Sequence, residues 1–267
     1  MLYYGYMIYK SFLENTAREA GGILEKAFRN PHAAKTSLKS RHELVTAYDV
    51  AAERVIMRAI RKQFSDHEIL SEESGRHATR SDYLWIIDPL DGTTNFTIKH
   101  PIFSTTFALA YKGDVLASVI YAPILKEMYV AEKDKGATLN GKRLVPSSTE
   151  RLNDSVLTFC YTHSAASHKR VTTLFSYYKT RARNFRHLGC ASMELAFVAA
   201  GRIDGFMVMD GKPWDMAAGA LLVQEAGGVV SDFQGRGWQC KSKGIIAAGN
   251  KRLHKVLVQS GRKILPT

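Results

Sequence analysis

With 267 residues, the chain can bury a full hydrophobic core as one large domain or two ordinary ones. Its 45% hydrophobic and 23% charged residues are those of a soluble globular protein, and no apolar run approaches the length of a membrane span. A formal charge of +12 raises nucleic acid as a partner, yet Lys and Arg are dispersed, with modest concentrations only at Lys35-Lys39-Arg41, Arg181-Arg183-Arg186 and Lys251 to Lys263, and no nucleic-acid motif accompanies them.

The start, Met1 to Tyr9, lacks the basic region and small-residue cleavage site of a signal peptide, so a cytoplasmic protein is expected. Phe12, Ala17, Ala20, Ile23, Leu24 and Phe28 recur at helical spacing and predict an amphipathic helix over 9–28, ended by Asn30-Pro31. After a basic loop, Val45-Thr46-Ala47-Tyr48-Asp49 leads into a second helix through Val50, Val55, Ile56, Ala59, Ile60 and Phe64. Asp49 fits two roles there, a helix N-cap or a carboxylate turned back toward a site. Glu68 to Ser71 reads as a short strand, followed by Glu72 and Glu73, which are either solvated or part of an acidic site.

Tyr83 to Ile87 is aromatic and β-branched, as a buried strand requires, which sets Asp88 at its carboxyl end. Pro89 cannot donate to a sheet ladder, so the strand is expected to stop there and turn. Around such a turn Asp88, Asp91 and the Leu90 carbonyl can face one point. Oxygen-only ligands suit a hard divalent cation, Mg²⁺ first, and not zinc. Gly92-Thr93-Thr94 then offers successive N–H groups to a phosphate. The same tetrapeptide also satisfies a plain surface β-turn.

Phe103 to Tyr111, Val115 to Tyr121 and Glu127 to Ala131 predict a β-meander, and Asn140-Gly141 is a hairpin turn. Near Arg151 the texture changes to alternating strands and helices. This suggests an N-terminal half, residues 1–150, and a C-terminal half, residues 151–267, joined without linker composition into one compact unit. The second half predicts strands at 156–161, 183–187, 204–209, 229–232 and 244–248, and helices at 169–178, 192–200, 214–226 and 250–262. Lys212-Pro213-Trp214-Asp215 opens one of those helices, where Asp215 is either a first-turn acid or a further ligand. Cys160, Cys190 and Cys240 are widely separated and never form a CxxC pair, so they read as free thiols.

Three segments taken together resemble the inositol monophosphatase family of Mg²⁺-dependent, Li⁺-sensitive phosphatases. They are Ser71-Glu72-Glu73-Ser74, the Trp85 to Phe96 run, and Pro213 to Gly219 with Glu225-Ala226-Gly227-Gly228 behind. The resemblance implies an α/β fold layered as an αβαβα sandwich, shared with fructose-1,6-bisphosphatases, and a homodimer. It implies two or three Mg²⁺ per site, held by Glu72, Asp88, the Leu90 carbonyl, Asp91 and Asp215. Thr93 matches the threonine that orients the attacking water, Asp49 its paired carboxylate, and Glu72 counts with them as catalytic. Gly92 and Thr93 would bind phosphate through their amides, with Asp91 and Asp215 facing the substrate too. Gly189-Cys190-Ala191 is similar to the family's Gly-Thr/Ser-Ala substrate loop, with Cys in place of the hydroxyl residue.

Some positions depart from the pattern. Glu43 stands where many relatives have Asp, and Lys39 is one residue closer to it than usual, so neither is assigned a role. Inositol-selective members have Glu seven residues before the helix aspartate, where this chain has Val208, with Asp210 the only acid near enough to substitute. The expected function is therefore hydrolysis of a small sugar or inositol monophosphate, myo-inositol 1-phosphate first. Fructose 1,6-bisphosphate, histidinol phosphate, 3′-nucleotides such as phosphoadenosine phosphate, and NADP are rivals. An RNA or protein-complex component with a secondary phosphatase site is the alternative of another class.

Overall fold

The computed structural model describes residues 2–30, 36–38, 44–162 and 164–264. Lys35, Lys39, Arg41 and Glu43 lie outside the described residues. The N-terminal half forms α1 (Leu2–Arg29), β1 (Thr36–Leu38), β2 (Leu44–Thr46), α2 (Ala47–Gln63), β3 (Glu68–Ser71), β4 (Gly75–His77), β5 (Tyr83–Asp91) and α3 (Thr93–Thr97). The meander follows as β6 (Ser104–Tyr111), β7 (Asp114–Ala122), β8 (Glu127–Glu132), β9 (Gly136–Leu139) and β10 (Lys142–Arg143). Then come β11 (Val156–Tyr161), α4 (Ala165–Lys179), β12 (Asn184–Arg186), α5 (Ala191–Ala199), β13 (Gly205–Met209), α6 (Pro213–Ala226), β14 (Val229–Ser231), β15 (Gly244–Ala248) and α7 (Lys251–Ile264).

Two large sheets have strand orders β10-β9-β8-β7-β6-β5-β3-β4 and β12-β11-β13-β15-β14, and β1 pairs with β2 in a separate two-stranded sheet. Strand periodicity assigns each face. On β5, Trp85 and Ile87 join Phe12 of α1 and Ile56 of α2 in one core, while Ile86 turns to α5 and α6 in another. On β15, Ile245 and Ala247 meet α5 and α6, and Ile246 and Ala248 meet α7 on the far side. The result is the expected αβαβα sandwich: α1 and α2, the larger sheet, α5 and α6, the smaller sheet, then α4 and α7. Lying between two sheets explains why α6 is apolar on nearly every face, with Met216 to Val223 all buried. Gly219 permits the close approach of α5, because a Cβ there would overlap the Leu195 side chain.

Several local expectations need correction. The first helix begins at Leu2, not Tyr9, and short strands at β1, β2 and β4 escape periodicity because three residues carry too little pattern. The N-cap of α2 is Thr46, whose hydroxyl accepts from the Tyr48 and Asp49 amides, so Asp49 is the capping-box acid and not the cap. Pro89 does not stop its strand. β5 continues to Asp91 through a bulge in which Pro89 and Leu90 together oppose Thr105, so the missing proline N–H falls where ladder pairing is already interrupted.

Candidate active site

That bulge builds the site. In a regular strand, residues three apart face opposite sides of the sheet. Here Asp88 pairs with Thr106 and Asp91 with Ser104, two residues apart on β6, so the one extra residue restores the phase. Both aspartates therefore face the middle helical layer, the side to which Ile86 points. β3 runs parallel to β5 and ends beside it, with Ser71 in register with Ile87 and the Glu72 amide donating to the Ile87 carbonyl at 3.1 Å. Glu72 thus leaves its strand next to Asp88. From the middle layer, the first turn of α6 brings in Asp215.

The four carboxylates sense one another. Asp88 is 2% exposed, and burial, then the charges of Glu72, Asp91 and Asp215, hold its carboxyl well above the usual range. Asp215 is pushed up in the same way by burial and then by Asp91, against the Lys212 amide that donates to it at 2.8 Å. Asp91 is raised by burial, but Oδ2 accepts from the Ser192 amide at 2.6 Å, the Ser192 hydroxyl at 2.5 Å and the Cys190 thiol at 3.3 Å. Among the described residues, no three His, Cys, Asp or Glu side chains converge into a finished ligand shell. The donor chemistry, four interacting carboxylates beside the Leu90 carbonyl, fits a hard cation that would relieve their mutual repulsion.

Thr93 and Asp49 each make a bond close in sequence. The Thr93 hydroxyl donates to the Leu90 carbonyl at 3.0 Å, and buried Asp49 accepts from the Thr46 amide at 2.9 Å and, in a short contact, from the Thr46 hydroxyl. Gly92 carries φ 87°, and a Cβ there would stand 3.1 Å from the Ile102 carbonyl and 3.2 Å from the Cys190 Cβ. It lets β5 turn into α3 beneath the Cys190 loop.

The Gly189-Cys190-Ala191 loop is hydrogen-bonded to Glu194 and Asp91. Gly189 and Leu188 donate their amides to Glu194 Oε1 at 3.1 and 3.2 Å, and the Ala191 amide bonds Asp91. Cys190 is fully buried, 0% exposed, with its thiol on Asp91. Cys190 and Ala191 thus brace Asp91 directly, while Gly189 is held by Glu194. Asp210 is not a free acid either: Arg170 Nη1 donates to it at 2.6 Å. Val208 is buried in β13, packed into the middle-layer core.

Sequence reasoning missed three supporting groups. Asn95 Nδ2 donates to the Ile102 carbonyl at 2.7 Å and the Leu188 carbonyl at 2.8 Å, pinning the loop to α3. Ser192 and Glu194 complete the brace. Asn95 lies inside the quoted motif and Ser192 directly follows the loop; neither position is marked by its residue type, because the partners, backbone carbonyls for Asn95 and the Asp91 carboxylate for Ser192, are mostly distant in sequence.

A layered αβαβα sandwich with an acidic cluster at the carboxyl ends of adjacent parallel strands defines a class in which phosphate chemistry and divalent cations meet. The chain belongs to the inositol monophosphatase family, whose sequence profile matches residues 9–265. Members of this family are generally Mg²⁺-dependent. It is 42% identical over 248 residues to the Nus factor SuhB of Salmonella typhimurium, covering 92% of each chain. The crystal structure of the extragenic suppressor protein SuhB from Bartonella henselae shares 34% identity with a TM-score of 0.90, covering 96% of this chain and 99% of that one. The inositol monophosphatase of Anabaena shares 30% identity with a TM-score of 0.86 and covers 98% of both. Among the described residues, no helix is long and apolar enough to cross a membrane.

Proposed function

We propose that this protein is a Mg²⁺-dependent phosphomonoesterase acting on a small sugar or inositol monophosphate, with myo-inositol 1-phosphate the first candidate. The observation that carries this reading is the cluster of mutually repelling carboxylates Glu72, Asp88, Asp91 and Asp215, brought together around the β5 bulge in a member of this family. Glu72, Asp88 and the Leu90 carbonyl would hold one cation, and Asp88, Asp91 and Asp215 a second. When bound, such ions neutralise phosphate charge and lower the pKa of water. The Gly92 and Thr93 amides, following the left-handed Gly92, would receive phosphate oxygens. The Thr93 hydroxyl would leave the Leu90 carbonyl to align the attacking water, with Asp49 in the first turn of α2 as its paired carboxylate. Ser192 and Cys190 keep one Asp91 oxygen engaged, so its other oxygen is left for the cation. The three free cysteines accord with a reducing, cytoplasmic setting, and a homodimer is the expected assembly.

The test is phosphate release, with Mg²⁺ and with or without Li⁺, from myo-inositol 1-phosphate, fructose 1,6-bisphosphate, histidinol phosphate, phosphoadenosine phosphate and NADP. Turnover of the inositol ester that Li⁺ suppresses and Asp91→Asn abolishes is expected. Release from none of them would remove the enzyme reading. A second reading is favoured by the relatives named Nus factor together with the net charge of +12: an RNA or protein-complex component whose phosphatase site is secondary. It requires salt-sensitive RNA affinity that survives Asp91→Asn.

A further inference from the structure

On the other side of the smaller sheet's end lies a cavity of about 820 Å³ that shares no residue with the carboxylate cluster. Arg170, Arg236, Lys241, Lys243 and Arg262 line it, against only Asp210 and Asp232. The two acids are already engaged, Asp210 with Arg170 at 2.6 Å and Asp232 with Arg236 at 2.7 Å. Lys241, Lys243 and Arg262 have no carboxylate partner among the described residues, and Arg262 instead donates to the Gln234 carbonyl. Three uncompensated cations around one recess favour a ligand with at least two negative charges.

The recess also has an apolar floor. Met209 and Phe233 are half-buried and line it, with Phe233 packed where Cβ atoms on Gly244 and Gly261 would stand 3.2 and 3.4 Å away. Gly237, on the rim, has open space where a side chain would project. The segment between β14 and β15 that carries most of the lining is braced internally. Asp232 Oδ1 accepts the Gln234 and Arg236 amides at 2.8 and 2.9 Å, and the Cys240 thiol donates to the Gly113 carbonyl at 3.4 Å, tying the segment to the β6–β7 turn. A pre-formed recess of this volume is of ligand size.

We propose that this cavity is a second, non-catalytic site for a nucleoside polyphosphate, its phosphates on Lys241, Lys243 and Arg262 and its base against Phe233 and Met209. The flat ring matches the apolar floor and the phosphates match the uncompensated rim. A bare sugar monophosphate would leave both the ring surface and at least one cation unused. The site does not rest on the phosphatase reading: none of its residues belongs to the carboxylate cluster, and Asp210, the one candidate substrate acid in its lining, is bound by Arg170.

Isothermal titration of the full chain with ADP, in low salt with EDTA to keep phosphate off any metal, tests it. Saturable binding is expected, equal in wild type and Asp91→Asn, and weakened roughly tenfold or more in Lys241→Glu/Lys243→Glu. Gly237→Leu, which adds bulk at the lining and keeps every charge, should weaken it too, and its exposed position with open space around it makes it the variant to read should the double variant melt early. Pyrophosphate should bind several-fold more weakly than ADP. No saturable ADP binding, equal binding by both site variants, loss in Asp91→Asn, pyrophosphate binding as tight as ADP, or binding of a single-stranded RNA oligonucleotide without ADP binding would each overturn the proposal.

Discussion

The acidic cluster and the basic cavity concentrate charge by opposite means. The cluster draws Asp88 and Asp91 from one bulged strand, Glu72 from its parallel neighbour and Asp215 from a helix of the middle layer, and backbone amides of Leu90, Ser192 and Lys212 fix their oxygens in place. The cavity sets long cationic side chains around a floor of glycines, Met209 and Phe233, and most of those cations are exposed. Burial raises the cost of every charge in the first and makes its geometry rigid; exposure leaves the second cheap to form and sensitive to salt. The first arrangement suits an ion that must be held in one place, the second an anion that must be attracted. The same chain can therefore carry net charge +12 and still centre its chemistry on carboxylates.

The largest expected effect separates the two regions outright. Asp91→Asn should lower phosphate release by about a thousandfold or more, since it removes a charge that interacts with both Asp88 and Asp215. It should leave binding in the basic cavity unchanged. A variant that lost both would mean the regions are one site.

Next comes the brace beneath the cluster. Burial lifts the Glu194 carboxyl from its ordinary 4.5 to about 7, against the donors Cys160, Leu188 and Gly189. The unfolded chain ionises first, so this group's contribution is full below about pH 4.5 and is lost as pH rises through about 7, an effect of roughly 3 kcal/mol. Melting temperature should fall across that window in wild type, and Glu194→Gln should flatten the fall. An unchanged slope in the variant would place the titration elsewhere.

How far the sequence reveals these features follows from where their partners lie. The αβαβα layering is readable because strands such as β5 and helices such as α6 announce their faces by period or by its absence. Glu72, Asp88, Asp91 and Asp215 are readable because each sits at an element's end within a short, distinctive segment. The bulge is hidden, since proline in a strand run signals termination as readily as an extra residue, and only the register against Thr106 and Ser104 distinguishes the two. The brace formed by Asn95, Ser192 and Glu194 is equally hidden, because Asn95 reaches a loop 93 residues away through a backbone carbonyl, Ser192 reaches the Asp91 carboxylate, and Glu194 accepts backbone amides. The cavity was out of reach for a similar reason: Arg170 and Lys243 meet only when α4 and the β14–β15 segment come to the same sheet end.

Metal response sharpens the contrast further. Mg²⁺ at a hundred times its dissociation constant should add about 2.7 kcal/mol, or roughly 5–10 °C in melting temperature for a chain of this size. Asp88→Asn should melt higher than wild type in EDTA, because it removes one of four repelling charges, and should lose the Mg²⁺ response. A variant that is less stable in EDTA would show that the carboxylates are not repelling in the metal-free chain. Mg²⁺ should not restore ADP affinity to the cavity's charge-reversal variant.

The smallest effect tests the loop that sequence similarity marks for substrate. The Cys190 thiol is buried against Asp91, with its Cβ closely packed under Gly92. Serine is nearly isosteric and a better donor, so Cys190→Ser should strengthen the bond to Asp91 at a cost below about 1 kcal/mol in packing. If Cys190 acts only through Asp91, KM should stay within about twofold, and any change should be in kcat as the Asp91 carboxylate is held lower. A large shift in KM with kcat unchanged would instead put the residue in contact with substrate, which requires the loop to open from the braced form held by Glu194 and Asn95.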